Sequence, residues 1–379
     1  MNAEVESYSA ALVVLTAGVT AAAVTQLVAR MLALSGFLLD RPNERSSHFI
    51  VTPRSGGVSV FAGFAAGLAL VAAFGDWAQF TKPALTFALL MGSAFLFGMA
   101  DDRFNLSAPL KFFAQIALAL FFVGLFGPLQ TAPLPFVGAT SLGAWAGPLT
   151  VLWIVGFMNA YNFMDGLNGI AAGCGALALA ALAAASAYGG GAFWAIICAL
   201  GAVSLLSFLP MNFPRARLFM GDNGSQAIGF LFAAATVGAA NESEGAVSAL
   251  FGPLVMLPFL FDVAFTLAHR ARRGRNILSA HREHLYQLLS RLRLSHAEVT
   301  AVFLSLTALS AAVAVLQLRL PAGYQFAAPL VLAAAFLLPA VRILKRARDA
   351  GLISATAAAA AETPAENAPD PELQTQAAE

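Results

Sequence analysis

Leu167–Tyr188 reads LNGIAAGCGALALAALAAASAY, a run of 22 residues without one charged side chain. A bilayer core of roughly 30 Å is crossed by about 20 apolar residues in a helix, so this segment is long enough to span. Its neighbours repeat the pattern. Across 379 residues, 59% are hydrophobic, only 11% are charged, and the mean hydropathy is +0.76. Soluble domains carry about a quarter charged residues, so a water-soluble globule is excluded. The 31 Phe and the long Ala/Leu/Val runs exclude general disorder. A net charge of +1 gives no overall attraction to nucleic acid. Cys174 and Cys198 lie in apolar runs without C-x-x-C spacing, which points to packing rather than a disulfide framework or zinc. The fold class expected is an all-α polytopic membrane protein.

Reading outward from Leu167–Tyr188 gives ten more candidate spans: Ser9–Ala29, Gly57–Gly75, Pro83–Ala100, Leu110–Phe126, Gly147–Phe163, Ala192–Pro210, Ala227–Ala240, Val247–Ala268, Ala297–Leu318 and Phe326–Leu344. No cleaved signal peptide is evident, because Glu4 and Glu6 precede the first basic residue, Arg30. Cytoplasmic loops carry the excess of Lys and Arg. With the N-terminus periplasmic and the C-terminus cytoplasmic, eleven spans leave only Lys82 and Arg319 of the 21 basic residues outside. The expected organisation is a transmembrane domain over residues 1–348 and a cytoplasmic tail over 349–379. From Ala355 to Glu379 the tail lacks an apolar face and is expected to be disordered.

Polar residues gather at span ends on the expected cytoplasmic face, where ionisable groups near lipid are functional candidates. Asp101 and Asp102 end the third span, where the helix dipole disfavours negative charge. They suit a divalent cation or acid–base work, or else a salt bridge to Arg103 or Lys111. Lys111 opens the fourth span and could reach a phosphate or simply snorkel. Asn159-Ala-Tyr-Asn162-Phe-Met-Asp165-Gly-Leu-Asn168-Gly169 is the densest stretch, with Asn159 and Asn162 on one helix face. Gly221-Asp222-Asn-Gly-Ser225 opens the eighth span, as a phosphate cradle of free N–H groups or with Asp222 as an ordinary cap. His281-Arg282-Glu-His284 lies in a loop that also holds Arg270, Arg272, Arg273 and Arg275. It suits anion binding better than zinc, for which no third ligand is spaced. His48 sits in another polar loop, as a lid or a packed residue. Asp262, inside the ninth span, is expected to face the bundle and pair with a nearby Arg or His. Neither a P-loop nor a Rossmann fingerprint is present.

Asp101-Asp102, the Asn159–Gly169 stretch, Gly221–Ser225 and the His281–His284 loop together resemble the polyprenyl-phosphate N-acetylhexosamine-1-phosphate transferases. The four motifs stand in that family's order over roughly Asp40 to Tyr286. The resemblance implies a Mg²⁺-dependent attack by a lipid phosphate on the β-phosphate of a UDP-sugar, with UMP leaving; Mn²⁺ could substitute. By motif it implies that Asp222 is the main metal ligand, with Asn162 assisting. Asp101 and Asp102 would activate or orient the lipid phosphate, Lys111 would neutralise charge, and Asp165 would support the site. Asn168 would lie near the uracil, with Asn159 also on the substrate side. His281, Arg282 and His284 would approach phosphate or sugar. Many members carry a His-x-His-His loop, and the His281–Gln287 form here looks closer to the O-antigen or capsule initiating branch than to the peptidoglycan branch.

The partners implied are a UDP-N-acetylhexosamine, undecaprenyl phosphate and membrane lipid, with no nucleic acid and a homodimer left open. The location implied is the bacterial inner membrane. The rival classes are a secondary transporter and a non-catalytic lipid-binding scaffold. A transporter predicts ionisable groups near the midplane and matching halves, whereas the carboxylates here stand mainly at span ends and no internal repeat is evident. Product formation left intact by Asp222→Ala would favour the scaffold.

Overall fold

The computed structural model describes residues 2–40, 50–75, 78–276 and 281–353; His48 and the expected tail at Ala355–Glu379 lie outside them. The chain is a helical bundle. In order it forms α1 (Asn2–Ser35), α2 (Gly56–Phe74), α3 (Ala78–Phe104), α4 (Ala108–Phe126), α5 (Ala146–Met164), α6 (Ile170–Tyr188) and α7 (Ala192–Asn212). It continues with α8 (Gly221–Glu242), α9 (Phe251–Val255), α10 (Leu257–Arg272), α11 (Leu285–Arg291), α12 (His296–Gln317) and α13 (Ala327–Asp349). The strands among the described residues form two antiparallel pairs, β1 (Leu39–Asp40) with β2 (Thr52–Pro53) and β3 (Thr131–Leu134) with β4 (Gly138–Ser141).

Among the described residues nine helices are long and apolar enough to cross a membrane: α1 to α7, α12 and α13. The protein is an all-α polytopic membrane protein. Several helices turn large apolar side chains outward, as α4 does with Leu110, Phe113, Leu120, Phe121 and Leu125. Lipid is the solvent such faces suit.

The two expected spans missing from those nine, the eighth and ninth, are built differently. Helix α8 is longer than the expected Ala227–Ala240, and every residue from Asn223 to Ala240 is buried. Because α2, α3, α5, α6 and α7 pack around it, it meets protein rather than lipid. It can therefore hold Asn223, Ser225 and Gln226, whose polar groups would be costly against hydrocarbon. The ninth segment is interrupted. Helix α9 stops at Val255 and α10 restarts at Leu257 with Pro258 in its first turn. Proline lacks an N–H and clashes with the preceding turn, but is tolerated at a helix start.

An aromatic cluster fixes α8 against α3, α4 and α7. Phe87 of α3 stands 5.4 Å from Trp194 and 5.9 Å from Phe230 of α8, and Phe122 of α4 is 6.2 Å from Phe230. Alternating helix directions then bring the C-termini of α3 and α5 and the N-termini of α4 and α8 to one end of the bundle. At the other end Asn241 of α8 bonds to Pro128 and Gln130, just before β3.

Candidate active site

Helices α3 and α8 meet through Asp102. Its carboxylate accepts the backbone N–H groups of Asp222 (3.2 Å) and Asn223 (2.9 Å) and the side-chain amide of Asn223 (2.5 Å). The first N–H groups of a helix have no partners within it and carry the positive end of its dipole. Asp102 thus caps α8 from a different helix. Arg54, just after β2, donates to the Asp102 carbonyl (2.5 Å) and lies 3.5 Å from its carboxylate. Glycine makes this junction possible: a Cβ on Gly98 would overlap the backbone of Asp222, and one on Gly57 would overlap Asn223 and Gly224. Of the N–H groups expected to be open at Gly221–Ser225, those of Asp222 and Asn223 are already committed to Asp102. Nor is Asp222 the cap; it lies inside the first turn of α8.

Asp222 is instead the carboxylate that faces outward. Its side chain is 34% exposed, against 2% for Asp101 and 1% for Asp102. Its Oδ1 accepts from Asn162 Nδ2 at 2.7 Å, and the same Nδ2 donates to Ser225 Oγ at 2.8 Å. With its amide nitrogen used twice, Asn162 has Oδ1 left without a hydrogen-bond partner among the described residues. Lys111 forms an ion pair with Asp101, and its ammonium is 4.0 Å from Asp222 Oδ2. The salt-bridge alternative for Asp101 is therefore present, yet the same lysine also reaches Asp222. Asp165 ends α5. Burial, and then the neighbouring carboxylates of Asp222 and Asp102, hold it well above the usual carboxylate range.

One turn deeper lies a polar layer. Asn159 donates to Gln115 Oε1 (2.7 Å), and Gln115 donates to Gln226 Oε1 (2.9 Å). Its members lie on α5, α4 and α8, one turn from Asn162, Lys111 and Asp222 respectively. Asn159 is thus placed beneath the outward-facing carboxylate rather than beside it. Asn168 stands on the α5–α6 turn. Its amide donates to the Pro214 carbonyl (3.1 Å), and its own carbonyl accepts from Thr300 (2.8 Å).

The histidine loop docks on the end of α5. Tyr286 donates its hydroxyl to the Phe163 carbonyl at 2.8 Å. His284 Nδ1 lies 3.0 Å from Asp262 Oδ1, the pairing expected of that buried acid. The rings of His281 and His284 are 4.9 Å apart. Burial, then the charges of His284 and Arg270, push His281 down to about 4, which leaves it neutral at pH 7. Arg282 is held in the same loop, its carbonyl accepting from Arg291 at 3.1 Å.

Asp101, Asp102, Lys111, Asn162 and Asp222 therefore come together directly, and the loop borders them through Phe163. Sequence reasoning did not single out Arg54, Gln115 or Gln226, and it placed Asn223 and Ser225 in the Gly221–Ser225 motif without their contacts to Asp102 and Asn162. For Gln115 the signal was available, since a buried amide within an apolar span needs a partner.

A family model described as glycosyl transferase family 4 matches residues 84–240. The decaprenyl-phosphate N-acetylglucosaminephosphotransferase of Mycobacterium tuberculosis is 34% identical over 321 residues, 75% of this chain and 78% of the relative. The chain belongs to glycosyl transferase family 4. A probable undecaprenyl-phosphate N-acetylglucosaminyl 1-phosphate transferase of Bacillus subtilis is 31% identical over 274 residues, 72% of this chain and 75% of the relative. The undecaprenyl-phosphate alpha-N-acetylglucosaminyl 1-phosphate transferase of Escherichia coli is 28% identical over 302 residues, 76% and 78% respectively. The glycosyl transferase family 4 match contains Asp101, Asp102, Lys111, Asn162 and Asp222, whereas Arg54, Asp262 and the histidine loop fall outside it.

Proposed function

We propose that this chain transfers N-acetylglucosamine 1-phosphate from its UDP-sugar to a polyprenyl phosphate and releases UMP. The single observation that carries the reading is the outward-facing Asp222 carboxylate, braced by Asn162 and approached by Lys111 at one end of an apolar bundle. The names of the relatives support the acceptor class and the sugar.

In the proposed reaction an oxygen of the lipid phosphate attacks the β-phosphorus of the donor. The bond from that phosphorus to the bridging oxygen breaks, and the oxygen departs with UMP. A lipid diphosphate carrying the sugar remains. Phosphoryl transfer depends mainly on positioning and charge neutralisation. Lys111, held by Asp101, supplies positive charge to the phosphates. Asp102 and Arg54 fix the start of α8 and so the position of Asp222. The layer of Gln115, Asn159 and Gln226 sets the depth and rotation of the helices that carry the outer residues.

Asp222 and Oδ1 of Asn162 are hard oxygen donors suited to Mg²⁺, with Mn²⁺ as a substitute. Among the described residues no three His, Cys, Asp or Glu side chains form a metal cage. That donor set suits a cation that keeps water and takes substrate phosphate oxygens. When bound, it would neutralise the diphosphate. The eleven-span, N-out arrangement, with α8 and the interrupted α9–α10 as crossings, would put this end on the cytoplasmic face of the inner membrane.

The test is incubation of purified protein with undecaprenyl phosphate, Mg²⁺ and a panel of UDP-sugars, scored by UMP release. UDP-N-acetylglucosamine should be the donor used. No UMP from any UDP-N-acetylhexosamine would overturn the reading.

A further inference from the structure

Asp262 lies wholly buried on α10 and gathers four donors. Its Oδ1 accepts from the Leu285 N–H (2.9 Å) and the Thr266 hydroxyl (3.1 Å) and meets His284 Nδ1 at 3.0 Å; its Oδ2 accepts from the Tyr286 N–H (3.0 Å). The backbone bonds alone would anchor the start of α11, so the histidine contact needs a separate explanation. An imidazole whose Nδ1–H is held by a carboxylate has its tautomer and ring orientation fixed, and Nε2 becomes the nitrogen available to a ligand. The ring is also placed. Tyr286, next but one to His284, donates to the carbonyl of Phe163 and packs so closely on Gly166 that a Cβ there would overlap its hydroxyl. The His284 ring lies 5.9 Å from that of Phe163, the residue after Asn162. His281, neutral at pH 7, does not supply the charge of this loop, while Glu283 is occupied by Arg270 and Arg275.

We propose that Asp262 is a positioning residue for the transfer reaction, holding His284 through Nδ1 so that Nε2 meets the diphosphate or sugar of the donor. This rests on the transferase reading above. It assigns Asp262 to the donor half of the reaction and not to the lipid half.

The experiment is steady-state kinetics of UMP release, varying UDP-N-acetylglucosamine and undecaprenyl phosphate separately. Asp262→Asn keeps the shape of the side chain and loses the carboxylate. It should lower kcat/KM for the donor by about 10²-fold, the scale of a misplaced reacting contact. KM for the lipid should stay within about twofold. In a His284→Gln background, where the amide stands near the place of Nε2 without needing Asp262, adding Asp262→Asn should cost little more. Multiplying losses, or equal changes in both KM values, would show a structural role only and overturn the proposal. Should Asp262→Asn fail to fold, the comparison runs from the histidine side. His284→Gln should retain more donor kcat/KM than His284→Asn, whose amide stands near Nδ1 instead, and the reverse order would overturn the proposal. The wild-type rate tests the transferase reading; the ratio of variant to wild type tests this one.

Discussion

Replacing Asp102 by Ala should damage the fold more than replacing Asp222 by Ala, although both acids lie in the same cluster. Asp102 is buried and serves the N–H groups of Asp222 and Asn223, the Asn223 amide and Arg54. Each buried donor left without a partner costs about 1–3 kcal/mol. The costs do not simply add. Asn223 Nδ2 keeps the Arg54 carbonyl at 3.1 Å, and the Arg54 side chain is 30% exposed, so water screens its share. A net loss of about 3 kcal/mol follows, near the lower end for breaking a buried charged cluster. Asp222→Ala removes one bond from Asn162, which retains Ser225, and should cost about 1 kcal/mol or less. Denaturant titration in mixed micelles measures both. Equal stability of the two variants, or a less stable Asp222→Ala, would refute the assignment of Asp102 as the cap of α8.

Three further outcomes are expected. Gln115→Leu strands the Gln226 amide oxygen in the bundle interior and leaves the Asn159 amide only its bond to the Val155 carbonyl (2.8 Å), so it should destabilise the protein by about 1–3 kcal/mol and lower UMP release although Gln115 lies one turn below Lys111; an unaffected rate would remove the layer from the site. A reporter fused after Arg275 should read cytoplasmic and one between Asn241 and Glu244 periplasmic, and the opposite pattern would invert the bundle. His281 falls from 6.5 to about 4 on folding, so between those values the unfolded chain binds the extra proton and stability declines as pH falls. His281→Gln should flatten the stability profile in that window, and an unchanged slope would mean that His281 is not buried as a neutral ring.

The sequence was most legible where lipid dictates the residues. Long apolar runs gave α1 to α7, α12 and α13, because hydrocarbon tolerates little else on their outer faces. It was less legible where protein surrounds protein. Helix α8 begins at Gly221, six residues before the apolar reading, because Asn223, Ser225 and Gln226 find partners inside the bundle. The break between α9 and α10 was marked by Pro258 but read through. At the site, clustering of acids at span ends pointed to the right corner, and spacing placed Asn162 on the same face as Asn159. What spacing could not convey was division of labour. That Asp102 is spent on α8 while its neighbour Asp101 holds Lys111 depends on contacts between residues as much as 121 positions apart. Arg54 carried no local sign of its contact with Asp102, and Asp262 pointed to an Arg or His partner without saying which.

The most direct measurement is UMP release by purified wild-type protein and Asp222→Asn, with UDP-N-acetylglucosamine and undecaprenyl phosphate, in Mg²⁺ and in EDTA. The wild type should release UMP and form lipid diphosphate sugar in Mg²⁺ and stop in EDTA. Asp222→Asn should lose both turnover and Mg²⁺-dependent binding of the UDP-sugar. Full activity in chelator, or an Asp222→Asn variant as fast as the wild type, would contradict a transfer site centred on Asp222.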